Sequence, residues 1–167
     1  MTLCWCTSCG RGSCSYDASG VCVSVEPAAG SGAHQVFEVR LEDNRGLDRL
    51  GIVRILVNGI REGARACYIY YVLPGTPHLP PNAFLLVDDT GLKSTALETG
   101  MAGSVRNGQC RLDGAGSAVS LATHRLKIHL NLTFDPGFHG EKQIFVAYDD
   151  RMGTQSELQS RGSWWVP

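Results

Sequence analysis

Residues 126–134 alternate between apolar and polar side chains without exception. Leu126, Ile128, Leu130, Leu132 and Phe134 are apolar, and lysine, histidine, asparagine and threonine fill the positions between them. Because strand side chains point alternately to the two faces, the pattern predicts a one-sided β-strand. At the 3.6-residue period of a helix the same polar groups would be spread all round. The apolar face of this strand needs a second apolar layer to cover it.

Seven further segments have the composition of short strands and end at turn residues. They are residues 36–42, 52–57, 66–73, 83–87, 109–112, 143–148 and 163–166, with residues 21–25 as a candidate first strand. We expect residues 93–107 to form a loop with at most one short strand, and residues 114–117 to form a turn. About eight short strands, with no convincing amphipathic helix, predict an all-β fold, an antiparallel β-sandwich.

The chain of 167 residues fits one domain preceded by an irregular leader. Residues 1–24 are rich in cysteine, serine and glycine, and residues 25–167 form the predicted sandwich domain. The leader holds five of the seven cysteines: Cys4, Cys6, Cys9, Cys14 and Cys22. Such spacing permits a zinc knuckle, but it forms no two CxxC pairs and includes no histidine. A disulfide-tied or disordered leader is therefore the preferred interpretation.

Charge and hydropathy exclude several classes of partner. Fifteen basic and sixteen acidic residues give a net charge of −1, which provides no electrostatic basis for binding nucleic acid or an anionic membrane. Every apolar run is far shorter than the ~20 residues that span a bilayer. Residues 1–22 lack the basic start and apolar centre of a signal peptide, so an exported protein would have lost its leader or been cut from a longer chain.

Four blocks of the sequence resemble a known kind of module. They read G-A-R-A-C-Y-I-Y-Y, V-R-N-G-Q-C-R-L-D-G-A-G-S-A-V, F-D-P-G-F-H-G-E-K-Q-I-F-V-A-Y-D-D and S-R-G-S-W-W-V-P. This set is similar to a recurring immunoglobulin-like module of large surface or secreted proteins from soil bacteria, especially acidobacteria. The resemblance spans residues 25–167. It implies an immunoglobulin-like sandwich in an extracellular or cell-surface setting, and it implies little chemistry.

Cys67 and Cys110 lie in two of the matching blocks, each in a strand-like segment. We predict that they form a disulfide, which also fits an oxidising compartment. The alternative is a pair of buried free thiols.

Acidic residues are concentrated in the predicted loops. Asp43, Asp149 and Asp150 are the best candidates to hold a calcium ion, because loops at one end of a sandwich can gather the oxygen ligands that calcium needs. The alternative is that these are turn carboxylates, paired with the neighbouring Arg45 or Arg151.

Among the histidines, one is a candidate catalytic residue. His139 follows an Asp-Pro-Gly-Phe turn and could meet a loop carboxylate as an acid/base or metal site. His129 is expected to point outward from its strand as a surface residue. No zinc-protease motif and no nucleophile elbow is present in the sequence.

Aromatic residues suggest a stacking platform for a sugar or a peptide. Trp164, Trp165 and Tyr70 are its candidates, and the alternative is ordinary core packing. Alternation predicts that one of the two tryptophans points inward and the other outward.

Two functions remain. The first is a non-catalytic extracellular module for binding, adhesion or spacing, stabilised by calcium if the acidic loops hold it, whose ligand is a carbohydrate, a small molecule or a protein. The second is a small hydrolase in which a calcium-type ion assists cleavage of an ester, lactone or glycosidic bond. The absence of a nucleophile motif favours the first.

Overall fold

The computed structural model describes residues 15–167, and 58% of these residues are in β-strands. The strands are β1 (Val21–Glu26), β2 (Ala29–Ser31), β3 (His34–Asp43), β4 (Leu50–Asn58), β5 (Cys67–Val72), β6 (Ala83–Val87), β7 (Ser94–Glu98), β8 (Ser104–Arg106), β9 (Cys110–Leu121), β10 (Arg125–Phe134), β11 (Gly140–Asp150) and β12 (Gln159–Val166). Two short 3₁₀ turns, Leu47–Arg49 and Pro136–Phe138, are the helical elements within this range. The predicted all-β class is confirmed.

The strands form two sheets. The smaller sheet has the order β1-β3-β10-β9-β8, and the larger sheet has the order β2-β12-β11-β4-β5-β6-β7. Neighbouring strands are antiparallel, apart from the parallel pair of β2 and β12. The chain passes from the first sheet to the second at Glu26–Pro27, whose peptide bond is cis. Their arrangement is that of a β-sandwich.

The core lies between the two sheets and contains the strand that the alternation predicted. The five apolar residues of β10 are at most 2% exposed, and they belong to one cluster with β3, β4, β5, β11 and β12. Trp164 of the larger sheet packs edge-on against Phe37 of the smaller one, with ring centroids 5.1 Å apart. One continuous apolar layer therefore joins the two sheets.

A disulfide also joins the sheets, between Cys67 of β5 and Cys110 of β9. Their Cα atoms are 5.5 Å apart. The predicted pairing is confirmed. The prediction for Cys4, Cys6, Cys9 and Cys14 lies outside the described residues.

The smaller sheet begins before residue 25, where the sequence predicted the start of the sandwich domain. Strand β1 starts at Val21, which is buried and pairs with Asp43. Residues 21–24 are thus part of the sandwich, because their alternate apolar side chains complete its core.

Strand β9 differs from its prediction, since it continues through the glycines at 114–116 where a turn was expected. A Cβ atom on Gly114 would lie 2.2 Å from the carbonyl oxygen of Met101. This glycine permits close approach of a neighbouring segment within the sheet. The register of β9 against β10 shifts between His129 and Asn131, as at a β-bulge.

Within residues 15–167 no helix is long and apolar enough to span a membrane.

Candidate functional site

Four loops meet at one end of the sandwich. They are residues 44–49 after β3, residues 73–82 after β5, residues 122–124 after β9 and residues 151–158 after β11. Antiparallel pairing brings them together, and backbone hydrogen bonds fix their positions. Leu47 N donates to Thr123 O at 2.9 Å, and Arg151 N donates to Arg49 O at 2.9 Å. These bonds join three of the loops, and the side chain of Arg151 connects the fourth by donating to Pro74 O at 2.8 Å.

A cavity of about 420 Å³ lies among these loops, and we call it the end pocket. Its lining residues are Arg45, Gly46, Leu47, Asp48, Leu73, Pro74, Leu121, Ala122, Thr123, His124 and Arg151. Its volume falls within the ~300–1,000 Å³ typical of small-molecule sites. The lining combines aliphatic side chains with a few polar groups, which is the usual composition of such a site.

Gly46 shapes one wall of the end pocket. Its φ of +97° is in the region that favours glycine. A Cβ atom there would lie 3.2 Å from Asp48 Oδ1 and 4.0 Å from His124 Cε1. Glycine thus lets the carboxylate and the imidazole approach the same point.

A backbone carbonyl orients the ring of His124. The Nδ1 atom lies 2.9 Å from the carbonyl oxygen of Asp43. Because a carbonyl oxygen only accepts, Nδ1 carries the proton and donates it. The Nε2 atom has no hydrogen-bond partner among residues 15–167, so it remains available to a ligand.

Two arginines of the end pocket are bound only by backbone carbonyls. Arg151 donates from Nη2 to Pro74 O at 2.8 Å and from Nε to Leu50 O at 3.3 Å, while Arg45 donates to Ser19 O. In the part of the chain that the structure describes, neither guanidinium forms an ion pair with a carboxylate. Both positive charges therefore lack a carboxylate partner among residues 15–167.

The first predicted calcium ligand, Asp43, is paired with an arginine. Its side chain is fully buried, and Oδ2 accepts from Arg49 Nη2 at 2.7 Å and from Arg49 Nε at 2.8 Å. The backbone nitrogen of Arg45 donates to its other oxygen at 2.9 Å. Pairing with the side chain of Arg45 was the expected alternative to calcium. The partner is instead Arg49, because the 3₁₀ turn directs that side chain back to the end of β3.

Asp149 is also paired with an arginine, on the outer face of the larger sheet. Its Oδ1 atom lies 2.9 Å from Arg54 Nε, and both side chains are largely buried. Burial raises the pKa of Asp149 above its ordinary value, although the charge and the hydrogen bond of Arg54 act in the opposite direction. The expected partner Arg151 points to the backbone of Leu50 and Pro74 instead.

The third candidate, Asp150, stabilises the start of the following loop. Its Oδ1 atom accepts from the backbone nitrogens of Met152 and Thr154, each at 2.8 Å. These hydrogen bonds lower the pKa of Asp150. Residues 15–167 contain no group of three histidine, cysteine or acidic side chains arranged to hold a metal ion. These contacts do not test the expected calcium site, but an ion there would have to compete with the partners just described.

His139 is exposed, and no carboxylate contacts its ring within the described range. Its carbonyl accepts from Lys142 Nζ at 3.0 Å. The predicted encounter with a loop carboxylate is not seen, because the side chain of Asp135 is bound to the backbone nitrogen of Gly137.

His129 points outward from β10, as expected, and binds a glutamate of the neighbouring strand. Its Nε2 atom lies 2.8 Å from Glu38 Oε2, and Arg40 contacts the other oxygen. Burial acts to raise the pKa of Glu38, but the hydrogen bonds from Arg40 and His129 outweigh it and lower the pKa. This cluster lies on the outer face of the smaller sheet.

The three aromatic candidates lie in different environments. Trp164 is buried in the core and donates from Nε1 to Gly32 O at 2.8 Å, whereas Trp165 is 55% exposed. The predicted inward and outward directions are therefore confirmed. Tyr70 is half-buried and edge-on to Tyr68, with centroids 4.8 Å apart; burial followed by the hydrogen bond with Tyr68 raises its pKa well above the ordinary value. The three rings do not form one platform.

Sequence reasoning did not find the end pocket. Leu47, Leu73 and Leu121 come from three separate loops or loop edges, and His124 follows a strand with no motif around it. Two features of the sequence could have pointed to the end pocket: Arg45 stands beside Gly46, and Arg151 follows two aspartates. Both arginines were considered only as partners of those acids.

A second cavity of about 160 Å³ lies at the opposite end, between the β8–β9 turn and the start of Pro136–Phe138. It is below the usual size of a small-molecule site.

Comparisons with protein-family models, with curated proteins and with solved structures found no match to this chain.

Proposed function

We propose that this chain is a non-catalytic, immunoglobulin-like binding module of an extracellular or cell-surface protein, and that its ligand binds in the end pocket. The observation that carries the proposal is the cavity of about 420 Å³ held among four loops at one end of the sandwich. Because backbone hydrogen bonds fix those loops, little ordering is needed when a ligand binds.

The strand order supports an immunoglobulin-like topology of the variable type. With β1, β3, β10 and β9 taken as strands A, B, E and D, the larger sheet runs G, F, C, C′ and C″ through β12, β11, β4, β5 and β6. In that topology the B–C, C′–C″ and F–G loops form the ligand-binding end. The corresponding loops here, after β3, β5 and β11, are three of the four around the end pocket.

The disulfide departs from that topology. A bond of the antibody type would join B to F, here β3 to β11, whereas Cys67–Cys110 joins β5 to β9. It nevertheless links the two sheets, and it is compatible with an oxidising, extracellular location.

A fragment screen tests the proposal. We would record amide chemical shifts of the ¹⁵N-labelled protein with small carbohydrates, acids, amines and peptides. Binding should move the resonances of Gly46, Leu47 and Thr123. Ala122→Trp should fill the mouth of the end pocket and abolish these shifts, whereas the matched control Ala118→Trp, exposed on the same hairpin, should preserve them.

A spacer without a ligand would give no localised shifts in any arm of that screen, and this result would overturn the proposal. The hydrolase alternative is tested separately, by assaying ester, lactone and glycoside substrates with and without EDTA. Among residues 15–167, no contact of the His139 ring favours that alternative.

A further inference from the structure

The charges around the end pocket are unequal. Arg45 and Arg151 contribute two guanidinium groups, and Asp48 contributes the one carboxylate among the lining residues. The nearby Asp43 does not alter this balance, because its carboxylate is already paired with Arg49. Asp150 does not line the end pocket, and it keeps its charge because the backbone nitrogens of its own loop stabilise the ionised carboxylate. Among the lining residues themselves, two guanidinium groups face one carboxylate.

The guanidinium groups also retain unused hydrogen-bond donors. A guanidinium has five N–H groups, and Arg151 uses Nε and Nη2 on carbonyls while Nη1 has no partner in the described residues. Arg45 contacts the single carbonyl of Ser19. Free guanidinium donors are well suited to a carboxylate, which can accept two of them side by side.

The remaining wall is aliphatic. Leu121 is 45% exposed and Pro74 is also exposed, so these two residues present the apolar surface that water reaches, while Leu47 and Leu73 are almost fully buried behind it. A ligand that placed only a charged group in the end pocket would leave the surface of Leu121 and Pro74 in contact with water. A hydrocarbon body on the same ligand would remove that surface from water, which is favourable.

We propose that the end pocket binds a small organic acid: a carboxylate recognised by Arg45 and Arg151, attached to an apolar body that packs on Leu121 and Pro74. This inference rests on the proposed binding function and specifies the ligand class. Asp48 opposes the anion and sets an upper limit on its affinity.

The test uses three probes with the same carbon skeleton: 4-phenylbutanoate, 4-phenylbutanamide and 4-phenylbutylamine. Dissociation constants are measured by NMR titration of the end-pocket resonances. We expect the acid to bind at least about tenfold more tightly than the amide, a difference of about 1.4 kcal/mol. The amine should bind most weakly. Added salt should reduce the preference for the acid, because the arginines are partly exposed.

Variants that change one charge at the end pocket test whether the arginines recognise the carboxylate. Arg45→Gln should lower the affinity for the acid and leave the affinity for the amide unchanged. Asp48→Asn should raise the affinity for the acid, since it removes the negative charge that opposes the carboxylate. Arg106→Gln is the matched control, because it makes the same change in net charge at the opposite end of the sandwich and should have no effect. Melting temperatures would establish that each variant is folded.

Two results would overturn the inference. Equal or tighter binding of the amide or the amine in the end pocket would refute recognition of a carboxylate while leaving the binding function intact. If none of the three probes moves the end-pocket resonances, the organic-acid class is wrong, and the fragment screen decides the binding function independently.

Discussion

Removal of the Asp149 carboxylate should strongly destabilise the protein. Arg54 donates to this carboxylate at 2.9 Å, to Ser156 O at 2.8 Å and to the hydroxyl of Tyr68 at 3.4 Å. The side chains of the pair are 12% and 7% exposed. In Asp149→Ala the guanidinium would stay buried without its counter-charge. Breaking a buried ion pair in this way costs about 3–5 kcal/mol.

The assay is thermal and urea unfolding followed by circular dichroism. For a domain of this size each kcal/mol lowers the melting temperature by about 2–4 °C, so a loss of roughly 6–20 °C is expected. The matched control is Asp113→Ala. Asp113 pairs with Arg111 at 3.0 Å, but its partner is 50% exposed. Removing this surface pair should cost about 0–1 kcal/mol.

A double replacement isolates the cause. Arg54→Met with Asp149→Leu removes both charges and keeps most of the volume, so its stability should return close to that of the original protein. If Asp149→Ala costs no more than Asp113→Ala, the reasoning about a buried, uncompensated arginine is wrong.

Three further predictions concern covalent, acid and metal contributions. Replacing both Cys67 and Cys110 by serine should lower the free energy of unfolding by about 4 kcal/mol, since the bond closes a loop of 43 residues; alkylation of both thiols in the native, unreduced protein would refute the bond. Glu38→Gln should flatten the acid limb of stability, because the lowered pKa of Glu38 gives stability that is present above the unfolded-state pKa and lost as the pH falls through the folded value. Melting curves of wild type and variant between pH 6 and 2 check this, and identical acid limbs would contradict it. Millimolar calcium, compared with EDTA, should leave the melting temperature unchanged because arginines already pair with Asp43 and Asp149; a micromolar site would instead add about 4 kcal/mol.

The strands of the sandwich were predictable where only one of a strand's two faces is buried. In β10 every second side chain lies in the core, so the apolar positions in the sequence alternate in the same way. The edge strands β7 and β8 were largely missed because most of their residues are exposed, so burial imposes little pattern on them. The glycines of β9 were interpreted as a turn. Composition alone cannot distinguish a turn from a strand that a neighbouring segment approaches closely.

The end pocket was not predictable because it depends on contacts between distant loops. Arg45 and Arg151 each lie two residues after an aspartate, and this proximity in sequence suggested that they pair with Asp43 and Asp149. In the structure, Asp43 pairs with Arg49 and Asp149 pairs with Arg54 instead. Only the register of the strands decides which arginine meets which carboxylate, and hence which charges remain free.

The most direct test of ligand binding at the end pocket is a crystal structure of the chain with 4-phenylbutanoate. The account predicts the carboxylate within about 3 Å of the guanidinium nitrogens of Arg45 or Arg151. Its hydrocarbon body should lie against Leu121 and Pro74. A ligand bound elsewhere on the sandwich, or a carboxylate turned away from both arginines, would contradict it.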